Sequence, residues 1–235
     1  MLFTRQAVQD NIRNRDGKRV FYLGKGDQLT SDARDFLTRE RIEILPASEA
    51  RPDRYRLLNG GFMEGKPEHM THLNGDTLVE KTHPRILFRG AVDTLEGELL
   101  LAAAGATGEI RKQLEEALAY TRTLLRNEVL DEPVKLETLG GMDEKALRER
   151  SHRPQDFYGQ PHFMPAPTDS QLLLQVNKAR CLARNAELRA VAAFPTGRED
   201  LLRAFNRLSS FLYLIMIQLK SLPPGGRWTG ECRDG

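Results

Sequence analysis

The sequence predicts an all-α fold, a five-helix bundle with a small α/β appendage at its N-terminus. Apolar residues recur with the helical period from about residue 84 onward. Short strand-like apolar runs with turn residues occur in the first 66 residues. A proline-rich loop interrupts the helical part. We therefore expect an appendage and linker over 1–66, a helical domain over 67–222 and a disordered tail over 223–235.

The appendage is expected to combine two short strands with one helix. Val20–Leu23 is a strand candidate that ends in a Gly-Lys-Gly-Asp turn. Ser31 is placed to cap a helix that runs to Arg41. Ile42–Leu45 is a second strand candidate, closed by a proline. The stretch 51–70 is rich in glycine, proline and charge, which indicates a linker.

The helical domain is expected to contain five helices with short connections and one long aromatic loop. They are predicted over 85–104, 109–129, 143–151, 170–193 and from 196 or 197 to about 222. Gly105 ends the first helix, and Asp169 is placed to cap the fourth. Two prolines at 223 and 224 stop the last. The loop before residue 170 carries four prolines, and loops of this length are usually functional or disordered.

Composition excludes several classes of protein. The chain has 235 residues, 40% of them hydrophobic and 29% charged, with a net charge of +2, so nothing indicates a general nucleic-acid binder. The N-terminus lacks a secretory-signal pattern, and the longest apolar run, Phe211–Ile217, is too short to span a bilayer. Cys181 and Cys232 form neither a disulfide framework nor a zinc motif, which fits a reducing cytoplasm.

Arg180, Arg184 and Glu187 share one stripe of the fourth predicted helix, because their spacings are four and three. That stripe adjoins apolar residues, so the arginines are expected near the core. There a guanidinium needs an acidic partner on the protein or on a ligand. A solvated helix face is the ordinary alternative for such a pattern.

Asp93 lies among apolar neighbours on the first bundle helix. An inward aspartate is a natural counter-ion for an inward arginine. An exposed carboxylate is the equally weighted alternative.

A polar stretch from Thr71 to Thr77, followed by Lys81, offers backbone N–H groups, hydroxyls and a positive charge. Those are the groups that bind a polyphosphate. The spacing is not that of a Walker loop, and an ordinary polar turn is the alternative.

Asn206, Ser209 and Ser210 stand inside the last predicted helix, where such residues are unfavourable. An asparagine that faces a ligand would explain them. A hydrogen bond between helices would explain them equally well.

The order of these motifs is more specific than any one of them. It runs from a Thr-x-x-Gly-Asp turn through an Arg-x-x-x-x-Gly-x-Val-Asp helix start and a Phe-x-Pro loop. It ends with Arg-x-x-x-Arg-x-x-Glu and Asn-Arg-Leu-Ser helices. The chain resembles the corrinoid (cobalamin) adenosyltransferases over roughly residues 20–220, and within them most resembles the ethanolamine-utilisation branch. The five-helix bundle is expected to be of that family's type.

The resemblance assigns roles by position. Asp93 and Arg180 correspond to an inter-subunit ion pair, and both count with Arg184 as catalytic. Phe163 resembles the aromatic that closes the lower face of the corrin, and Phe157 and Tyr158 of the same loop are assigned to the corrinoid with it. The residues assigned to ATP are Thr71, Asn74, Gly75, Asp76, Lys81, Arg184, Glu187 and Asn206.

The resemblance implies an activity and its partners. The enzyme would transfer the 5′-deoxyadenosyl group of ATP to Co(I) of reduced cobalamin and release triphosphate, with Mg²⁺, as a homotrimer whose sites lie between subunits. The expected location is the cytoplasm or a bacterial microcompartment, with an adenosylcobalamin-dependent enzyme as partner. Neither nucleic acid nor membrane is expected to bind.

The sequence departs from the ethanolamine branch at one motif. That branch often has a Cys-Cys-x-x-Cys metal site before its Thr-His-Leu turn, and residues 57–70 here contain no cysteine. We therefore expect no protein-bound metal site.

Two other classes of protein remain possible for this sequence. The same bundle could serve as a non-catalytic scaffold or cargo protein of a microcompartment. A ferritin-like metalloprotein would need Glu-x-x-His pairs on facing helices, and among the predicted helices only the third offers that spacing, from Glu149 to His152.

Overall fold

The computed structural model of the chain describes residues 1–15, 17–50, 54–135 and 138–221. The chain divides into two compact units, Met1–Lys66 and Pro67–Gly235. The predicted tail, 223–235, and with it Cys232, lies outside the described residues.

The first unit is a small α/β structure. Its elements are β1 (Leu2–Phe3), α1 (Arg5–Asp10), β2 (Arg13–Arg15), β3 (Lys18–Leu23), β4 (Gln28–Leu29), α2 (Ser31–Arg39), β5 (Glu43–Pro46), a 3-10 turn (Ala47–Glu49), β6 (Arg54–Leu57) and β7 (Phe62–Glu64). Strand β3 pairs antiparallel with β2 and parallel with β5, and β1 pairs parallel with β4. Both predicted strands are confirmed: the first lies within β3, and the second corresponds to β5, shifted by one residue. Its core includes Val8, Phe21, Ala33, Phe36 and Leu37.

Two predictions for this unit are wrong. Thr30 rather than Ser31 caps α2, because its hydroxyl accepts a hydrogen bond from the Ala33 amide over 3.3 Å. The supposed linker contains the antiparallel hairpin of β6 and β7. There the Arg54 guanidinium lies 4.2 Å from the centre of the Phe62 ring. The exposed face of β6 carries Arg54 and Arg56, and these charges contributed to the linker-like composition of the segment.

The second unit contains a β-hairpin and the main helices. Its elements are β8 (Met70–Asn74), β9 (Thr77–Glu80), α3 (Pro84–Gly105), α4 (Gly108–Leu130), α5 (Glu144–His152), α6 (Pro154–Tyr158), α7 (Gln171–Ala193) and α8 (Glu199–Ser221). Each of the five predicted helices has a counterpart: α3, α4, α7 and α8 are long, and α5 is the shorter one of nine residues. The all-α description missed the hairpin of β8 and β9, and the proline-rich loop begins with the short helix α6.

Helix α8 lies at the centre of the helical unit. Every residue from 208 to 217 except Ser210 and Tyr213 is buried. A helix that is apolar on all sides must be covered on all sides, and α4, α5, α6 and α7 pack against α8. Helix α7 turns a stripe of alanines inward, and small side chains let it approach α3 and α8 closely. The stripe comprises Ala179, Ala183, Ala186 and Ala190.

The start of α7 differs from the prediction. Ser170 is the N-cap and accepts from the Leu173 amide over 3.3 Å. Asp169 instead accepts hydrogen bonds from Lys220 Nζ (2.5 Å) and from the Ala166 amide (2.8 Å). The aspartate therefore ties the loop before α7 to the end of α8.

Gly140 marks a close approach between the loop after α4 and α8. Its φ is +58°, and a Cβ atom there would lie 2.7 Å from Cε2 of Phe211. Its amide donates to the Glu116 carboxylate over 3.0 Å. Only glycine meets both the conformation and the contact without displacement of the ring.

None of the helices in the described part of the chain is both long and apolar enough to cross a membrane.

Candidate functional site

The predicted phosphate-binding stretch is a hairpin with a tight turn. Thr71 and Asn74 belong to β8, and Gly75 and Asp76 form the turn to β9. Gly75 has a φ of +47°, in the left-handed region that favours glycine. The side chains of Asn74 and Asp76 are exposed. The turn can therefore present an amide, a carboxylate and backbone N–H groups to a ligand.

Lys81 follows β9 directly. Its amide donates to the carbonyl of His69 over 2.9 Å, which closes the open end of the hairpin. Its ammonium is exposed and lies 4.0 Å from the Glu68 carboxylate. An exposed pair of this kind binds weakly, so the lysine can turn to an anionic ligand.

A buried ion cluster at the start of α3 was not predictable from the sequence. Glu128 of α4 is 0% exposed and accepts hydrogen bonds from Arg85 Nε and Arg89 Nε, each over 2.7 Å. Arg89 also donates to the carbonyl of Leu73 over 2.8 Å. The spacing of Arg85 and Arg89 repeats that of Arg180 and Arg184, but no local pattern connects Glu128 to either arginine.

His83 precedes these arginines as the N-cap of α3. Its Nδ1 accepts from the Arg85 amide over 3.2 Å. Burial lowers the pKa of His83, and the charges of Arg85 and Arg89 lower it further.

The arginines of α7 do not lie at the core as predicted. Arg180 is half-buried and donates to Asn177 Oδ1 over 3.2 Å, while Arg184 is exposed. The inward positions of α7 are occupied by alanines, so the arginines flank that stripe. Arg184 forms no ion pair with any residue in the described ranges, which leaves its charge available to a ligand.

Glu187 and Asn206 come together between α7 and α8. Asn206 Nδ2 donates to Glu187 Oε1 over 3.2 Å. Asn206 Oδ1 accepts from Arg207, whose Nε is buried and has no hydrogen-bond partner among the described residues. The sequence motif contained Arg207, but its role in orienting Asn206 was not predicted.

Asp93 is exposed on α3, so its predicted inward orientation is wrong for the single chain. Within the ranges that the structure describes, it forms no ion pair with Arg180 or with another cation.

The aromatic loop packs onto α8. Phe163 is half-buried and stacks on Tyr213 with ring centres 6.4 Å apart, and Lys220 Nζ lies 5.5 Å from the Phe163 ring centre. His162 Nε2 donates to the His152 carbonyl (3.1 Å), and its Nδ1 is 2.8 Å from the Tyr213 hydroxyl. Burial raises the pKa of Tyr213. These contacts hold Phe163 flat against α8.

The other two predicted aromatics stand on α6. Phe157 is half-buried beneath the Arg150 guanidinium, which lies 5.3 Å from its ring centre. Tyr158 packs against the main hydrophobic core. Phe157 and Phe163 therefore have different neighbours, Arg150 and Tyr213 respectively, although both were predicted in one loop.

Among the residues that the structure describes, no three or more His, Cys, Asp or Glu side chains are grouped so as to hold a metal ion.

Known proteins match a large part of this chain. The family model described as cobalamin adenosyltransferase matches residues 62–219. The corrinoid adenosyltransferase EutT of Salmonella typhimurium is 29% identical over 157 residues, which cover 65% of this chain and 59% of that protein. The corrinoid adenosyltransferase PduO of the same organism is 31% identical over 144 residues, covering 58% and 43%. The chain thus spans less than two thirds of the length of these relatives.

Solved structures share the fold. A variant of the PduO-type ATP:corrinoid adenosyltransferase from Lactobacillus reuteri, complexed with cobalamin and ATP, superimposes with a TM-score of 0.53 at 19% identity. The match covers 71% of this chain and 95% of that one. Because the family model spans more than half of the sequence and reaches into α8, this chain belongs to the cobalamin adenosyltransferase family.

Proposed function

We propose that the chain is an ATP:corrinoid adenosyltransferase of the ethanolamine-utilisation type. The observation that carries the proposal is the hydrogen bond from Asn206 to Glu187. It joins two residues, 19 positions apart on different helices, that the family resemblance independently assigns to the nucleotide. The match of the family model to 62–219 supports the same assignment.

The reaction is a nucleophilic displacement at carbon. An electron pair of Co(I) forms the bond to C5′ of the ATP ribose. The C5′–O bond breaks, and triphosphate leaves with the electron pair of the broken bond. Because the reduced corrinoid supplies the nucleophile, the protein needs no nucleophilic side chain. Its tasks are to align the two substrates and to stabilise the charge on the leaving group.

The hairpin and α7 carry the charge-stabilising groups in this proposal. Thr71, Asn74 and the turn at Gly75 and Asp76 would bind the phosphates through hydroxyl, amide and backbone N–H groups. Lys81 and Arg184 supply positive charge, and both are exposed and free to turn to a ligand.

Mg²⁺ fits this site as an ion bound mainly by ATP. The ion keeps several waters and usually takes substrate phosphates with one or two carboxylates rather than a cage of protein ligands. Asp76, exposed on the turn, is the candidate carboxylate. When bound, Mg²⁺ would offset the charge of the triphosphate.

Phe163 is proposed as the wall below the corrin. An apolar ring at that face would exclude water and the lower axial ligand, and four-coordinate Co(II) is easier to reduce. Its stacking on Tyr213 supports a fixed ring position. Phe157 and Tyr158 are proposed to contact the same substrate.

The assembly is proposed to be a homotrimer of five-helix bundles formed by α3, α4, α5, α7 and α8, with each site between two subunits. Asp93 and Arg180 would pair across that interface. We propose a cytoplasmic or microcompartment location, with the first 66 residues as a docking segment for a microcompartment or an adenosylcobalamin-dependent enzyme.

A spectral assay tests the activity. Purified protein, ATP, Mg²⁺ and chemically reduced cobalamin should yield the spectrum of an adenosylated corrinoid, together with one triphosphate per product. ATP binding without product formation under those conditions would contradict the enzyme and favour a scaffold role.

A further inference from the structure

Leu73 is the extra residue of a β-bulge immediately before the turn of the hairpin. In the register of β8 and β9, His72 lies opposite Leu78 and Asn74 lies opposite Thr77, so Leu73 has no residue opposite it. A bulged residue drops out of the ladder, and its carbonyl needs a donor from elsewhere. Arg89 Nη1 is that donor, over 2.8 Å.

Arg89 is itself held by a fully buried carboxylate. Its Nε donates to Glu128 Oε2 over 2.7 Å and its Nη2 lies 3.3 Å from Oε1. Arg85 binds Oε1 as well, and its Nη2 donates to the backbone carbonyl of Glu128 over 3.1 Å. Because the guanidinium is a planar fork, Arg89 can bind Glu128 and Leu73 at once. A lysine in its place could not do so.

We propose that Arg89, oriented by Glu128, is a positioning residue for the turn from Asn74 to Asp76. The inference rests on the proposed function, in which that turn binds the phosphates of ATP. The bulge decides which face of the hairpin each following side chain takes, since a shift of one residue exchanges the two faces. The hydrogen bond to Leu73 fixes the bulge, and thereby the direction of Asn74 and the approach to Gly75.

The position of this contact separates it from ordinary helix packing. Arg122 of α4 also joins the same two helices, since its Nε donates to Glu96 Oε2 of α3 over 2.9 Å. That pair is far more exposed, with 55% of the Arg122 side chain accessible, and the contact does not involve the hairpin. Arg122→Lys is therefore a matched control for Arg89→Lys.

Two measurements on the full chain test the inference. Hydrogen exchange of the backbone amides at residues 74–77 should be at least about tenfold faster in Arg89→Lys, with exchange within α3 and α4 unchanged. Calorimetric titration with Mg-ATP alone should show about tenfold weaker binding, which corresponds to about 1.4 kcal/mol. Arg122→Lys should change neither the exchange rates at residues 74–77 nor the affinity for Mg-ATP. If Arg89→Lys does not fold, Glu128→Gln, which keeps the volume of the side chain, should show the same pattern.

The outcomes separate this inference from the proposed function. Unchanged exchange at the turn in a folded variant would overturn the positioning role, whatever the activity. Faster exchange with unchanged ATP affinity would overturn the link to the phosphates. If wild-type protein bound no ATP, the assignment of the turn to phosphate would fall, and the exchange comparison would still decide whether Arg89 fixes the bulge.

Discussion

Asn206 on α8 donates a hydrogen bond to Glu187 on α7, with 3.2 Å between Nδ2 and Oε1. The contact is half-buried and is continued by Arg207, which donates to Asn206 Oδ1. It orients the Asn206 amide against the carboxylate of Glu187, which lies one turn beyond Arg184 on α7. The proposed nucleotide-binding residues of α7 and α8 therefore comprise one fixed pair, Glu187 and Asn206, and one exposed cation, Arg184.

Arg184→Ala should lower the apparent affinity for ATP and the turnover while leaving the protein folded. The side chain is exposed and forms no ion pair within the described ranges, so its removal leaves no buried charge behind. Loss of a charge-assisted contact to triphosphate costs about 1.5–3 kcal/mol. Steady-state kinetics and thermal unfolding check both parts, with Arg189→Ala, also exposed on α7, as the control. Wild-type kinetics in Arg184→Ala would refute the assignment.

Asp93 and Arg180 should show strong coupling if they pair across a subunit interface. Loss of one partner leaves a desolvated charge, so a single change is expected to be worse than the reversed pair Asp93→Arg with Arg180→Asp. Asp93→Asn should weaken both assembly and turnover. A double-mutant cycle on activity and on trimer stability should give a coupling of about 1 kcal/mol or more. Additive single losses would show that the two residues do not touch.

Asp169 should make stability depend on pH in acid. The hydrogen bond from Lys220, and then that from the Ala166 amide, hold the pKa of Asp169 below its ordinary value. A group with a lowered folded-state pKa stabilises the fold above its unfolded pKa, about 3.9, and loses that effect as the pH falls through the folded value. The stability gap between wild type and Asp169→Asn should be constant near neutral pH and shrink below about pH 4.

Urea unfolding at several pH values measures that gap. Glu115→Gln is the control, because Glu115 pairs with Arg111 on the surface of α4, where both side chains are about half exposed. A gap for Asp169→Asn that stays constant into acid would contradict the prediction.

Gly140→Ala should be clearly destabilising. The added Cβ would meet Phe211 at 2.7 Å, and the backbone is left-handed at φ +58°. Overpacking of a core costs about 1–3 kcal/mol, in addition to the backbone strain. Gly141 has a φ of +70°, and a Cβ atom added there would have no heavy atom within 4 Å. Gly141→Ala is therefore expected to be destabilised by backbone strain alone. Equal unfolding midpoints for the two variants would show that Phe211 gives way freely.

Purified protein should contain no stoichiometric iron or zinc. The prediction rests on the absence of cysteine from residues 57–70. Elemental analysis of protein prepared without chelator measures the content. About one equivalent of either metal would contradict the prediction, and His69, His72 and His83 would then be the ligands to replace.

The secondary structure around the candidate site was predictable where its residues form local motifs. Three motifs follow the order seen in the family: the turn at Gly75, the α7 stripe and the Asn206 motif. Each lies on the type of element that was predicted for it, a turn or a helix. The orientation of side chains was less predictable. Arg184 is exposed because alanines, not arginines, fill the inward positions of α7.

Periodicity and the order of motifs by themselves determined the long helices and the family. Helical period is a local property, and each motif lies within one or two turns of chain. Only the tertiary structure decided that Glu128 is buried between Arg85 and Arg89, and that Asp169 pairs with Lys220, 51 residues away, rather than capping α7. Both depend on which helices pack together. A carboxylate pairs with the donor that helix packing brings closest to it. The separation of two residues along the chain does not determine their distance in space.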